Sequence, residues 1–180
     1  MKCFNYFILI VIFICYFLLY FIRKPIRINK NNHLIVSPCD GTVMNVDNNI
    51  ISIFLSVFDV HWQYIPIDGV VKNIEYIEGT TYMAMKPKSI HNTGVKITFS
   101  TELGDIDVIQ KVGFFVRRIV NKIKVGDKVK QCDPYGLILF GSRVDIILPK
   151  HIKSNLKTNQ KVIAGVTSLI NENIKNFKKI

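Results

Sequence analysis

The chain has 180 residues, 49% hydrophobic and 21% charged, with 24 Lys and Arg against 13 Asp and Glu. That length holds one ordinary domain, or a smaller domain with an anchor, and excludes a (β/α)8 barrel or a two-domain dehydrogenase. A net charge of +11 points to anionic partners, although 29 Ile, 15 Asn and only 5 Arg mark part of the basic excess as compositional drift. Cys3, Cys15, Cys39 and Cys132 show no CxxC spacing, so no metal site and no disulfide framework is expected, and a reducing compartment fits best.

From the N-terminus, residues 4–22 are uncharged and almost wholly apolar. As a helix rising about 1.5 Å per residue they would span about 28 Å, close to the hydrocarbon thickness of a bilayer. No small-residue cleavage site follows, only Arg23, Lys24 and Pro25, so the spacing predicts a retained transmembrane anchor over residues 1–22 rather than a signal peptide. Arg23, Lys24, Arg27 and Lys30 outweigh Lys2, which predicts a single-pass membrane protein with its C-terminal domain on the cytoplasmic face. Residues 23–33 read as a basic juxtamembrane linker, each cation attracting anionic lipid by about 1 kcal/mol.

The pattern then turns to β. Residues 50–55, 70–77, 95–99 and 106–112 are short, β-branched or alternating runs, separated by turn residues such as Asp40-Gly41, Asn48-Asn49 and Asp68-Gly69. Helical period returns only in the tail from Thr167. The fold class expected is mainly β: a β-rich domain over residues 34–170 behind one N-terminal helix, ending in a basic tail, 171–180. Residues 123–129 resemble 156–162 at an offset of 33, with Gly126 and Asn159 at the matching turn position. Each copy reads as strand, tight turn, strand, the pairing that builds barrel-sandwich folds such as lipoyl and biotinyl domains.

Between these copies lie Phe140, Gly141, Ser142, Arg143, Val144 and Asp145. A Gly–Ser pair is ordinarily a turn. A serine can also attack the carbonyl of its preceding peptide, where a glycine eases the strained approach. The resulting ester eliminates to break the chain, and the dehydroalanine left behind hydrolyses to a pyruvoyl group. No P-loop, no G-x-G-x-x-G and no nucleic-acid module is present, so no nucleic-acid partner is expected.

Residues 136–145 resemble the processing site of the short form of phosphatidylserine decarboxylase proenzymes. Residues 21–27 resemble that family's FFRDPxR entry, and Ser37-Pro38-Cys39-Asp40-Gly41 its SPADG. Residues 54–61 with 66–69 resemble its core motif, and Gln110-Lys111-Val112-Gly113 with Arg117-Arg118-Ile119 its QxxG and ARRI block. The likeness implies cleavage between Gly141 and Ser142. That would give a β chain (1–141) and an α chain (142–180), with Ser142 converted into the covalent pyruvoyl cofactor. A Schiff base between that group and the serine amine of phosphatidylserine would carry decarboxylation to phosphatidylethanolamine. It further implies that Asp40 serves self-processing and that His61, near its pKa, delivers a proton after CO₂ leaves.

Three departures stand out. Tyr64 occupies the place of a second histidine found in longer members, which leaves the processing base unassigned, with His33 and His91 as candidates. Cys39 replaces the usual Ala, and Cys132 a turn Gly. Arg117 and Arg118 read equally as headgroup ligands or as exposed strand arginines. Partners expected are the lipid substrate, the bilayer and the two processed chains, with a homodimer as an option. The alternative from another class is a non-enzymatic, membrane-tethered lipoyl- or biotinyl-like carrier. It lacks the modifiable lysine such a carrier needs at the Gly126-Asp127 turn.

Overall fold

The computed structural model describes residues 2–113, 118–139 and 142–171, with side chains of the N-terminal helix from Asn5 onward. The expected cleavage residue Gly141, the candidate ligand Arg117 and most of the basic tail lie outside the described residues. Among the described residues one α-helix, α1 (Lys2–Phe21), precedes eleven strands, with a 3₁₀ turn at Pro87–His91 between the fourth and fifth. These are β1 (Gly41–Asp47), β2 (Ile50–Leu55), β3 (Trp62–Tyr64), β4 (Gly69–Ile77), β5 (Gly94–Thr101), β6 (Gly104–Lys111), β7 (Arg118–Asn121), β8 (Lys128–Val129), β9 (Pro134–Leu139), β10 (Ser142–Ile147) and β11 (Lys161–Val162). The described part of the tail, from Thr167, is irregular rather than helical.

The strands form two antiparallel sheets. The larger runs β11-β1-β2-β10-β6-β5-β4-β8 and the smaller β3-β9-β7. The two pack face to face, with Tyr135 and Ile138 of the small sheet in one core with Ile53, Val71, Ile97, Phe99, Val108 and Val144 of the large one. Phe99 meets Tyr135 edge-on at 6.0 Å between ring centroids. Alternation explains the strands with one wet face. β10 is different: five of its six residues are buried, because it is central and covered on both sides.

The large sheet reads the same from either end. β11, β1, β2 and β10 correspond to β8, β4, β5 and β6 about a local twofold centred on the paired residues Ile146 and Val108. Details repeat with it. Asp40-Gly41 corresponds to Asp68-Gly69, and the ladder slips between Val43 and Asn45 as between Val71 and Asn73. Positive φ recurs at Gly126 and Asn159 (94° and 68°) and at Cys132 and Gly165 (71° and 68°). Cys132 therefore stands in a left-handed conformation that glycine fills in the other half. The sequence repeat is this symmetry, with one correction. Only the second limb of each copy is a strand, and it pairs not with its own first limb but with β4 or β1. The turn itself docks instead: Gly126 N–H donates to Val71 O and Asn159 N–H to Val43 O, both at 2.8 Å.

The N-terminal segment is more tightly bound than an anchor and linker require. From Asn5 through Tyr20, α1 exposes its apolar side chains except the half-buried Phe17, and Phe21 is fully buried in the domain. The apolar stretch left open is thus shorter than the expected 4–22, and among the described residues no helix is long and apolar enough to cross a membrane. Residues 23–33, expected as a linker, lie against the β domain. Tyr64 OH donates to Pro25 O (2.7 Å), Trp62 Nε1 to Ile22 O (3.0 Å), and Asn29 Nδ2 to Gln131 Oε1 (2.8 Å).

Two glycines with different burdens test the packing. A Cβ on Gly69 would lie 2.5 Å from Ser100 O, whereas one on Gly126 meets nothing within 4 Å and strains only the backbone. Gly126→Ala is expected to cost about 1 kcal/mol and Gly69→Ala about 1–3 kcal/mol more, read from urea unfolding midpoints at constant slope.

Candidate active site

Ser142 opens β10 and is fully buried. It pairs with Leu55, the last residue of β2, so its Oγ lies at the strand end and has no hydrogen-bond partner among the described residues. The same register carries two other expected residues to this end. Thr42 pairs with Phe54, which sets Asp40 beside the exit of β2. The chain leaving Leu55 then turns through Ser56 and Asp59, whose Oδ2 accepts from Ser56 N–H and Oγ–H (2.7 Å each), and arrives at His61. The Ile138 amide donates to His61 O (3.3 Å), tying His61 to β9 just before Phe140 and Gly141 lead into Ser142.

His61 is fully buried, its ring 4.1 Å from that of Phe21. Nδ1 lies 3.0 Å from Asp59 O; a carbonyl can only accept, so Nδ1 carries the proton and Nε2 keeps its lone pair. Nε2 is buried without a partner among the described residues. Burial lowers its pKa to about 4, against the upward pull of the Asp59 carbonyl and carboxylate. This corrects the sequence expectation of a histidine poised near its ordinary pKa: at neutral pH His61 is a neutral imidazole.

Asp40 is held differently. Its Oδ1 accepts from the Ala164 amide (2.8 Å), and both oxygens accept from Arg27 (2.9 and 2.7 Å). Burial raises its pKa, while Ala164 and Arg27 pull the other way. None of its hydrogen bonds among the described residues reaches Ser142 or His61, so strand register, and not contact, brings the three together. Its twofold counterpart Asp68 likewise accepts the Gln131 amide (2.7 Å), without an arginine. The amide bond is thus a repeated structural device, and Arg27 is what distinguishes Asp40. Tyr64, in the place of the second histidine, completes the group with the Arg27 guanidinium 5.8 Å from its ring centre.

Arg27 was quoted in the FFRDPxR likeness but given no role beyond attracting lipid. Lys111, Arg143, Asp145 and Gln110 stand in the quoted blocks too, and their arrangement is visible only in the fold. On one face of β10, Asp145 Oδ2 accepts from Lys111 Nζ (2.6 Å) and Oδ1 from Arg143 Nε (2.7 Å). Arg143 also donates to Ser52 Oγ (2.9 Å) and Ser89 Oγ (3.2 Å). All three charges are at least 94% buried. The signal was there: charges alternating inside the apolar runs of β6 and β10. On the other face Gln110, paired with Val144, shares the side of Ser142 and reaches over Gly136, where a Cβ would crowd its amide. His33 and His91 lie in other parts of the chain, His33 beside Asn29 and His91 in the turn before β5.

A water-poor strand end that keeps an unbonded serine hydroxyl and a neutral imidazole has the character of an enzyme site rather than of a carrier surface. The family model of phosphatidylserine decarboxylase matches residues 14–169. The phosphatidylserine decarboxylase proenzyme of Streptomyces avermitilis is 40% identical over 157 residues, 84% of this chain and 73% of that protein. The Chlorobaculum tepidum proenzyme of the same name is 37% identical over 165 residues, 85% and 76% of the two chains. No solved structure matches the chain. The chain belongs to the phosphatidylserine decarboxylase family.

The buried triad carries one anion and two cations. Asp145→Asn leaves two cations facing each other and is expected to cost about 3–5 kcal/mol, whereas Lys111→Met leaves the Arg143–Asp145 pair intact and should cost clearly less. Denaturant unfolding of the two variants checks the order.

Proposed function

We propose that the protein is a pyruvoyl-dependent phosphatidylserine decarboxylase that matures by cutting itself before Ser142. The observation that carries this is Ser142 itself: a fully buried hydroxyl without a partner among the described residues, opening a strand bonded along both edges. The family resemblance of residues 136–145 and the relatives' proenzyme names support the same reading.

In maturation, Ser142 Oγ attacks the Gly141 carbonyl and the peptide nitrogen leaves it, forming an ester. Loss of the Cα proton expels the Gly141 carboxylate. One water then replaces the nitrogen as ammonia, leaving a keto group on the Ser142 carbons. The residues present suit such a group, since the site is dry, uncharged at Ser142 and flanked by the neutral His61. When formed, the pyruvoyl group supplies an electron sink for a carboxylate leaving the amine-bearing carbon. His61 Nε2, held in one tautomer by Asp59 O, takes and returns a proton at that strand end. Asp40 acts as a positioning residue: with Arg27 it holds the 23–33 segment and the 163–165 loop against the exit of β2. The domain is read as barrel-sandwich-like, with α1 as a membrane anchor and the catalytic domain on the cytoplasmic side. Residues 1–33 attach the enzyme to the bilayer in which its substrate lies, and wall the site through Phe21, Pro25 and Arg27.

Intact mass of purified protein should show two chains, 1–141 and 142–180, the second blocked to Edman degradation; Ser142→Ala should give one uncut chain. Asp40→Asn should slow cleavage more than Asp68→Asn, since both keep an oxygen that accepts the backbone amide but only the first loses an ion pair, the one with Arg27. Equal slowing would reduce Asp40 to its structural role.

His61→Gln in cleaved protein should lower turnover by about 10²-fold. Because the folded imidazole titrates at about 4, wild-type turnover should hold through pH 6.5 and fall only as pH nears 4. Stability has the same sign: between those values the unfolded chain binds a proton that the folded chain refuses, so stability drops as pH falls across the window.

A further inference from the structure

Residues 78–93, joining β4 to β5, serve neither the core nor the chemistry described above. From residue 80 to 93 there is no acid, but Lys86 and Lys88 are present. Tyr82, Met83, Met85 and Ile90 are 41%, 46%, 52% and 52% exposed. Four large apolar side chains gathered on one connection are an exposed patch of the kind that marks a contact surface.

The connection is nonetheless pinned. Asn92, fully buried, accepts from Tyr82 N–H and donates to Tyr82 O and Val112 O, at 2.7, 2.7 and 2.8 Å. Ser89, also fully buried, donates to Ala84 O (2.9 Å) and accepts from Arg143 (3.2 Å). Thr80 and Thr93 close its neck through Thr93 N–H to Thr80 O (3.0 Å). A loose loop would fold its apolar tips inward; this one is braced at its base so that they point out.

Its place gives the exposure a meaning. Val112 follows Lys111, which pairs with Arg143, the residue after Ser142. On the opposite edge of β10, β2 ends at Leu55 beside Ser142 and runs out to Val57 and Phe58, 38% and 67% exposed. There α1 is tied on, Arg23 donating to Phe58 O (2.6 Å) and Tyr20 OH to the same oxygen (3.3 Å). The strand end that bears Ser142 thus lies between two apolar projections, one continuous with α1 and the other made by residues 82–90.

We propose that residues 82–90 are a second membrane contact: Tyr82, Met83, Met85 and Ile90 enter the headgroup boundary of an anionic bilayer while Lys86 and Lys88 bind its phosphates and carboxylates. Apolar residues bordered by lysine are the composition of an interfacial contact, and the lysines match the charge of a phosphatidylserine surface. Contact on both flanks fixes the tilt of the domain and sets the Ser142 strand end at headgroup height. The inference rests on the substrate being a bilayer lipid, not on α1 crossing the membrane.

The test uses the full chain after cleavage. In a Trp62→Phe background, Met85→Trp places the sole tryptophan in the loop. Vesicles of phosphatidylcholine and phosphatidylserine with brominated acyl chains should quench it and shift its emission to the blue, and omitting phosphatidylserine should weaken both. Met83→Ser/Met85→Ser/Ile90→Ser removes apolar area from the headgroup boundary and should lower kcat/KM on vesicles about tenfold or more, with rates on a monomeric short-chain substrate held within about twofold. If that variant fails to self-cleave, Lys86→Glu/Lys88→Glu takes its place with the same expectation. An unquenched tryptophan in vesicle-bound protein overturns the proposal while leaving α1 as the attachment. Equal loss on both substrates overturns it as well. So does a concentration-dependent dimer abolished by the triple substitution, which would show that a second copy covers the face.

Discussion

The whole architecture depends on β10 being bonded along both edges, to β2 on one side and β6 on the other. A strand so placed needs no covalent link at its first residue to stay in position. That freedom is what a proenzyme of this family requires, since the proposed cut falls immediately before it. The ladder is reinforced where it would otherwise slip. Asp145, after the proposed cut, meets Lys111 before it, and Arg143 reaches Ser52 of the neighbouring strand β2 and Ser89 of the connection between β4 and β5. Buried charges are poor contributors to net stability but strict about register. Here a one-residue slip would strand all three and turn Ser142 to the other face.

The second constraint is that the N-terminal segment belongs to the site. Phe21 stacks on His61, Pro25 receives the Tyr64 hydroxyl, and Arg27 neutralises Asp40. Burial of the imidazole, and hence its neutral state, depends on the last turn of α1. The proposed attachment and the proposed chemistry are therefore less separable than a helix, a linker and a domain in series would be.

Much of this was legible in the sequence because the motifs are local. The β class followed from alternation and turn residues, and β2 lies at its expected bounds, Ile50–Leu55. The serine, histidine and aspartate of the candidate site stood in recognisable blocks. What the blocks could not give was their mutual arrangement, because register between distant strands leaves no local pattern. Arg27 and Asp40 each read plausibly alone, as a lipid-attracting cation and an Asp–Gly turn, and only the fold makes them one ion pair. The same holds for Lys111 and Asp145, 34 residues apart. The protonation state of His61 was beyond reach for another reason: it is set by desolvation under Phe21, a property of packing rather than of residue type. The repeat was visible, but its strands pair across halves instead of within copies.

The internal twofold places Ser142 opposite a revealing equivalent. Leu55 and Ser142 close the β2–β10 ladder where Thr101 and Gly104 close the β5–β6 ladder, at the same distance from the central pair. In one half those strand ends are joined by a two-residue hairpin. In the other they belong to separate stretches of chain, and the route into Ser142 comes from β9 in the other sheet. The molecule thus displays two versions of a single architectural corner, one sewn shut and one left as an open seam. Connecting Leu55 directly to Ser142 by a copy of the Glu102-Leu103 turn would be geometrically natural and would give a permuted protein without the Gly141–Ser142 bond at which the cut is proposed. The folded shape does not demand the open seam; the chemistry proposed at Ser142 does.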